Sequence, residues 1–463
     1  MTFFFKKHTF KILLLTGFFI FFHHLSQPGF FLDGIIYAAL GKNALIKGAW
    51  LVPTMNDSIY KTYSDSIPSL FIIHGIFFKL FGVSFFTARL VISLFAFSVF
   101  SSLIYVARKK VSNFHVILIA FLFLLTYPLL RHARHPNYDI PLMLFCFLSI
   151  HFYLKAIANN RKQDWYSTGL FFGLAMLLKG PMAIFVPLTI IIHLFVTKRL
   201  KLLLTWTPWL AILLGLALFS LWPFALYLDG NFPIFLQWFN YNFLGSILGA
   251  RGVTTNDYFS YVRYLITYTP IHIVLLLYSF YKLYRTKWSE FYQVHFIFFF
   301  VVLILTSLMK FKLAHYITCL YTSLPIIACM GVQDVVKDKI YVGFLTSMLL
   351  ISAVVFIYPQ DPTKTRDYEI FEIRRVLLEK KLIPSRYFIE TNAYPYASLY
   401  SLIEFLDGLR TDVITLSQPQ LFHPQALYIV TKPHKNEFTL KCSFIYDLTR
   451  YNSEAYFCPK SSL

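Results

Sequence analysis

Residues 139–199 read DIPLMLFCFLSIHFYLKAIANNRKQDWYSTGLFFGLAMLLKGPMAIFVPLTIIIHLFVTKR. Apolar runs fill this stretch at about 139–157, 167–178 and 182–197, and the breaks between them hold Arg161-Lys162 and Lys179-Gly180-Pro181. Apolar runs approaching 20 residues and bounded by Lys or Arg have the length and flanks of membrane-crossing helices. The second run is short, and it is expected to form a helical hairpin with the third across Lys179-Gly180-Pro181.

The same pattern extends in both directions. Further runs lie at about 9–25, 84–107, 114–130, 203–228, 265–281, 290–308, 314–332 and 339–358, giving about eleven transmembrane helices. Lys6, Lys7 and Lys11 flank the first run, and no small-x-small cleavage pattern follows it, so it reads as an uncleaved span. Composition agrees: 57% of the 463 residues are hydrophobic and 14% are charged, where a soluble domain carries roughly a quarter charged residues. The net charge of +20 does not indicate nucleic acid. The basic residues form short clusters between apolar runs rather than one long basic face.

These clusters orient the chain. Arg108-Lys109-Lys110, Arg161-Lys162, Lys198-Arg199-Lys201, Lys282-Arg285-Lys287 and Lys337-Lys339 fall on alternate connections and, with the N-terminal lysines, mark the cytosolic side. The opposite side receives the loop 26–83, the turn Arg131–Asp139, Lys179, the loop 229–264, Lys310–His315 and the tail from 359. Within the first loop, Phe71–Phe81 is apolar but short, and reads as an amphipathic helix at the membrane interface. The tail holds 12 of the 22 acidic residues. Tyr368–Lys381 looks helical and Ala426–Thr431 looks like a strand, so 359–463 is expected to be a small extracytoplasmic α/β domain. The fold class is therefore an all-α polytopic membrane domain, 1–358, with that appendage. Cys146, Cys319 and Cys329 lie in apolar runs. Cys442 and Cys458 lie in the tail, where an oxidising compartment would allow them to pair; spacing leaves that open.

Residues 1–358 contain ten acidic side chains. Asp33 and Asp139 sit against span ends on the non-cytosolic side, where an ionisable group is costly unless it is used or paired. Arg131, Arg134, Lys179, Arg251, Arg263, Lys310 and Lys312, with His132, His135 and His315, lie at the same level. A carboxylate among cations at the membrane–water boundary suits an anionic lipid-linked substrate, because Arg grips phosphate with paired bonds and Lys acts as a point charge. Structural readings stand beside this one. Asp33 could cap a helix, Asp139 could pair with Arg131 or Arg134 to hold the turn, Lys179 could snorkel, and Lys312 could anchor the interface. The histidines could simply pack. No ligand spacing demands a metal ion, though a divalent metal could assist. There is no Gly-rich phosphate loop, paired CxxC motif, HExxH motif or internal repeat.

The residues around these charges resemble the membrane glycosyltransferases of the GT-C fold, in the branch that holds protein O-mannosyltransferases and the bacterial aminoarabinose transferase of lipid A. The resemblance runs in order through Phe31-Leu32-Asp33-Gly34-Ile35-Ile36-Tyr37-Ala38, Lys47-Gly48-Ala49-Trp50-Leu51-Val52-Pro53, Tyr63-Ser64-Asp65-Ser66-Ile67-Pro68 and Phe86-Thr87-Ala88-Arg89-Leu90. It continues through Arg131 to Asp139-Ile140-Pro141-Leu142, Gly173 to Lys179-Gly180-Pro181, and Lys312-Leu313-Ala314-His315-Tyr316 with Leu324-Pro325. Gly34 stands where the family usually has a second acidic residue. Ser66 stands where it has the lysine that meets the donor phosphate, and Lys61 is close enough in sequence to substitute.

The resemblance implies an inverting transferase that moves a sugar from a polyprenyl-phosphate donor to a lipid, glycan or protein acceptor. It implies an integral, multi-pass protein of the bacterial inner membrane, active on the periplasmic face in cell-envelope or lipopolysaccharide modification. Asp33 and Asp139 would be catalytic. Lys179, Lys312, Arg251, Arg131 and Lys61 would meet the donor phosphate. Tyr37, Asp65, Arg134, His315 and Tyr316 would line the substrate pocket. Two other readings accommodate the charges: a flippase for lipid-linked sugars, against which no inverted halves are visible, and a non-catalytic assembly subunit, which Gly34 and Ser66 favour.

Overall fold

The computed structural model describes residues 2–30, 32–55, 61–283, 288–332, 338–357, 368–390, 404–406, 410–414, 423–432, 442–449 and 452–459. Arg285, Lys287, Asp334 and Lys337 lie outside these. The chain divides into two units, Met1–His24 with Ser64–Ser69 and Leu90–Tyr358, and Leu25–Tyr63 with Leu70–Arg89 and Pro359–Leu463.

The first unit is helical. By length and apolar composition Phe85–Ala107, Asp139–Asn159, Lys162–Val196, Trp206–Leu228 and Glu290–Leu308 are candidate membrane spans among the described residues. Helical hydrogen bonding covers Lys162–Val196 as an α-helix to Lys179, a 3-10 turn over Gly180–Ile184 and a second α-helix over Phe185–Val196. A straight rod would set Trp165 and His193 roughly 40 Å apart at 1.5 Å per residue. Both instead rest on Tyr153, whose hydroxyl lies 2.7 Å from His193 Nδ1 and whose ring centroid lies 5.7 Å from that of Trp165. The chain therefore reverses at Lys179-Gly180-Pro181, and the stretch is a two-armed hairpin. Shorter apolar helices at His8–Phe22, Asn113–Leu125, Ala314–Cys329 and Val342–Ile357 fall where four other spans are expected. Helix length alone does not fix the total at eleven.

The expected span at 265–281 is broken. Ser260–Tyr268 and the helix starting at Pro270 meet at 105°. Proline has no N–H to donate and disfavours helical backbone in the residue before it, so it ends one helix and opens the next. A close helix crossing lies elsewhere, between Lys162–Lys179 and Trp206–Leu228. A Cβ added at Gly169 would collide with the Ala211 carbonyl, and one at Gly173 would come within 3.0 Å of the Gly215 Cα. Small residues four apart on both helices let the backbones touch, as in membrane helix pairs generally. At the end expected to be cytosolic, Arg199 pairs with Glu290 at 2.6 Å and Lys155 with Asp164 at 3.2 Å.

The second unit joins the first loop to the tail, a different partition from the expected domains, which left that loop with the helical bundle. Leu32–Ile46 and Ser69–Phe81 are helices. The latter buries Leu70, Phe71, His74, Gly75 and Phe78 and exposes Ile76, Leu80 and Phe81, the two-faced character expected of an interfacial helix. The tail forms a helix over Tyr368–Glu379 and a sheet of β1 (Arg386–Glu390), β2 (Arg410–Ile414), β3 (Ala426–Thr431), β4 (Ser443–Leu448) and β5 (Ser453–Cys458) in the order β2-β1-β3-β5-β4. β1 pairs in parallel with β2 and β3, while β5 runs antiparallel to β3 and β4. Phe388, Tyr428, Val430 and Tyr456 form its core. Cys442 and Cys458 are joined in a disulfide, and the other three cysteines are free and buried.

Candidate functional site

The turn before Asp139 is built to hold that residue. Asn137 Oδ1 accepts from the Ile140 amide at 3.0 Å, and its Nδ2 donates to the carbonyls of His132 (2.7 Å) and His135 (2.5 Å). One short amide side chain thus ties the start of the Asp139–Asn159 helix to the turn behind it. Tyr138 fastens the same turn to the 64–69 segment, its hydroxyl donating to the Ile67 carbonyl at 2.5 Å. Asp139 falls in the first turn of its helix, where a negative charge meets the positive end of the helix dipole.

Lys179 closes the Lys162–Lys179 helix, where a positive charge suits the opposite pole. Its ammonium lies 2.5 Å from Asp139 Oδ1 and 4.9 Å from the centre of the Tyr316 ring. Asp139 therefore pairs with Lys179, rather than with Arg131 or Arg134 as the local alternative held. Gly180 permits the turn that brings Lys179 here: its φ is +57°, and an added Cβ would strike Trp238. The His315 ring lies 6.0 Å from that of His132 and 5.1 Å from that of Tyr316. Burial holds His132 below the usual histidine range, opposed by the Asp139 charge.

A second set of cations adjoins this cluster. The segment after Ser246 is stitched to residues 311–313. The Phe311 amide donates to the Ser246 carbonyl (3.1 Å), and the Lys312 amide donates to Thr254 Oγ1 (2.7 Å), which donates back to the Lys312 carbonyl (3.1 Å). The Tyr261 hydroxyl donates to the Leu313 carbonyl at 2.9 Å. Lys312 is buried, its Nζ donating to the Thr255 carbonyl (3.1 Å) and lying 5.6 Å from the Tyr258 ring centre; burial pulls it below the ordinary lysine value. Arg251 lies over Phe311 at 5.0 Å, close enough for its charge to act on His315 and Tyr316. Arg263, by contrast, is engaged locally by Asp257.

Asp139, Lys179, His315 and Tyr316 are thus brought together in the first unit, with Arg251 and Lys312 on the adjoining loops. Arg131 is exposed at the end of the Tyr127–His132 helix. Arg134 is half-buried, and desolvation draws its guanidinium down to about 10. Asp65 is half-buried on the 64–69 segment. The remaining three candidates belong to the second unit. Asp33 is exposed in the first turn of Leu32–Ile46, Tyr37 packs its ring 5.7 Å from Phe71, and Lys61 is exposed. Among the described residues no group of three His, Cys, Asp or Glu side chains is placed to hold a metal ion.

The sequence reading passed over Asn137 and Tyr258. An Asn shortly before an apolar helix is a cap signal that would have found the first. Nothing local in the sequence marks Tyr258.

Residues 65–223 match the model of the dolichyl-phosphate-mannose-protein mannosyltransferase family. An uncharacterized protein of Aquifex aeolicus is 27% identical over 363 residues, 77% of this chain and 80% of that protein. Two crystal structures of ArnT from Cupriavidus metallidurans are similar in fold. The form bound to undecaprenyl phosphate has a TM-score of 0.73 at 13% identity and covers 98% of this chain and 97% of that one. The apo form has a TM-score of 0.71 at 14% identity and covers 98% of both. Along nearly its whole length the chain therefore has the fold of ArnT, and residues 65–223 within it match the dolichyl-phosphate-mannose-protein mannosyltransferase family.

Proposed function

We propose that the chain is an inverting glycosyltransferase that takes a sugar from a polyprenyl phosphate and hands it to a lipid, glycan or protein hydroxyl. The observation that carries this reading is the ArnT-like fold over 98% of the chain, in a form that binds undecaprenyl phosphate in ArnT itself. The cations near Tyr316, Lys179 and Arg251, supply the matching chemistry. In the reaction the acceptor oxygen attacks the anomeric carbon from the face opposite the lipid phosphate. The bond from that carbon to the phosphate oxygen breaks, and its electron pair leaves with the lipid phosphate. The hydroxyl proton passes to a carboxylate.

Asp33 is assigned that base role, worth about 100- to 10,000-fold. It is an exposed carboxylate, and Asp139 is ion-paired to Lys179. Asp139 instead fixes Lys179 in place. Arg251 and Lys312, with Arg131 and Lys61, are assigned to the departing phosphate, where positive charge counts most as the bond breaks. Lys179, paired with Asp139, is assigned to the phosphate with them. Tyr37, Asp65, Arg134, His315 and Tyr316 are assigned to the sugar and the acceptor.

The site is assigned to the periplasmic face of a bacterial inner membrane. The Cys442–Cys458 disulfide supports a non-cytosolic tail, since such bonds persist in oxidising compartments. The test is incubation of the purified chain in vesicles with labelled undecaprenyl-phosphate sugar and envelope glycolipid, with and without a chelator. Covalent transfer of label is the expected result, and the chelator arm reads any need for a divalent metal. Movement of label across the vesicle without transfer would indicate a flippase, and neither outcome would indicate an assembly subunit.

A further inference from the structure

In the second unit a buried carboxylate of the tail grips the helix that carries Asp33. Lys42, Asn43 and Lys47 lie on or just after Leu32–Ile46, and all three converge on Glu404. Lys42 Nζ donates to the carbonyls of Glu404 (2.6 Å) and Phe405 (3.1 Å). Asn43 Nδ2 donates to Glu404 Oε1 (3.3 Å) and to the carbonyls of Met55 (2.8 Å) and Thr54 (3.1 Å). Lys47 Nζ reaches Glu404 Oε1 at 2.9 Å and the Met55 carbonyl at 2.5 Å. Lys42, Asn43 and Glu404 are all buried, and Phe405 anchors the segment against the rings of Phe30, Phe78 and Phe85.

Apolar packing alone would hold this helix without the desolvation cost of a buried ammonium and carboxylate. What the polar grip adds is direction. Hydrogen bonds to one carboxylate from adjacent turns fix the rotation of the helix about its axis and its height against the tail. Asp33 lies on the same rigid helix, roughly 14 Å from Lys42 along the axis, so its bearing is fixed with it.

We propose that Glu404 is a positioning residue for glycosyl transfer: it clamps the Leu32–Ile46 helix and thereby sets the direction of the Asp33 carboxylate. This rests on the reading of Asp33 as the base. The tail thus acts as a structural part of the first loop rather than as a detachable cap.

The test uses the full chain in lipid nanodiscs, with Glu404→Ala and Glu404→Gln. Amide exchange is followed at Leu32–Ile46 and, as an internal control, at Asp139–Asn159, together with donor KM and kcat. Loss of a hydrogen-bonded charge is expected to raise exchange at Leu32–Ile46 and lower kcat by about 10-fold in Glu404→Ala. Donor KM and exchange in the control helix stay at the parent value. Glu404→Gln keeps the accepting oxygen and is expected to retain most of the parent kcat. Unchanged exchange at Leu32–Ile46 in Glu404→Ala, or unchanged kcat despite raised exchange, overturns the proposal, as does a rise in both helices, which marks general loosening. If the parent chain transfers no sugar, the functional reading fails by itself, and the positioning role falls with it, while the exchange data still decide whether the clamp exists.

Discussion

Two contacts between a lysine and a buried carboxylate, Lys179–Asp139 and Lys47–Glu404, differ in how far along the chain their partners lie. In the helical unit Asp139 and Lys179 sit at the facing ends of two successive helices, 40 residues apart in sequence. In the second unit Lys47 and Glu404 are 357 residues apart, and their contact joins the first loop to the tail. The first pair follows from local rules. A short connection forces neighbouring helices antiparallel, and opposite charges at their ends meet while each also satisfies its own helix dipole. The second pair depends on the tail folding and returning. One contact is a property of a hairpin, and the other is a property of the whole second unit.

Four variants separate the two regions. Asp33→Asn, in the second unit, is expected to lower sugar transfer by about 100- to 10,000-fold without loss of membrane insertion. Initial rates in vesicles measure it, and near-parental transfer would take Asp33 out of the mechanism. Lys179→Met, in the helical unit, strands a buried carboxylate and should cost about 3–5 kcal/mol of stability. The double variant Lys179→Met/Asp139→Asn should recover much of that loss in a thermal-unfolding series, and failure to recover would mean that the pair is not the reason for the loss. Cys458→Ser releases a bond spanning 16 residues, which a chain-entropy model values at about 3 kcal/mol. Proteolysis should then attack the tail while leaving the helical unit intact. Gly180→Ala forces a Cβ into a left-handed turn and against Trp238. It should cost about 1–3 kcal/mol and is read by the same thermal series as Lys179→Met.

The legibility of the molecule in its sequence follows the same division. The apolar runs, the hairpin at Lys179-Gly180-Pro181, the two-faced helix Ser69–Phe81 and the strand at Ala426–Thr431 are readable because each is a local pattern. Asp139 and Lys179 were visible as charges at span ends, but whether Asp139 would choose Lys179 or a turn arginine was not. That choice is made by the hairpin's geometry, which orders the ammonium against one oxygen. The break at Thr269-Pro270 carried a proline signal, yet the apolar run continued through it and outweighed the signal. The grouping of the first loop with the tail could not be read from periodicity or spacing. Glu404 is one of twelve acidic residues in a polar segment, and nothing local distinguishes it from the others.

The central claim is that a polyprenyl phosphate is held in the helical unit by Arg251 and Lys312, beside Tyr316. The most direct measurement is an experimental structure of the chain in lipid nanodiscs with undecaprenyl phosphate. The account predicts phosphate oxygens within about 3 Å of the Arg251 or Lys312 nitrogens, the distance of a charge-assisted hydrogen bond. A phosphate bound away from both cations would contradict the account.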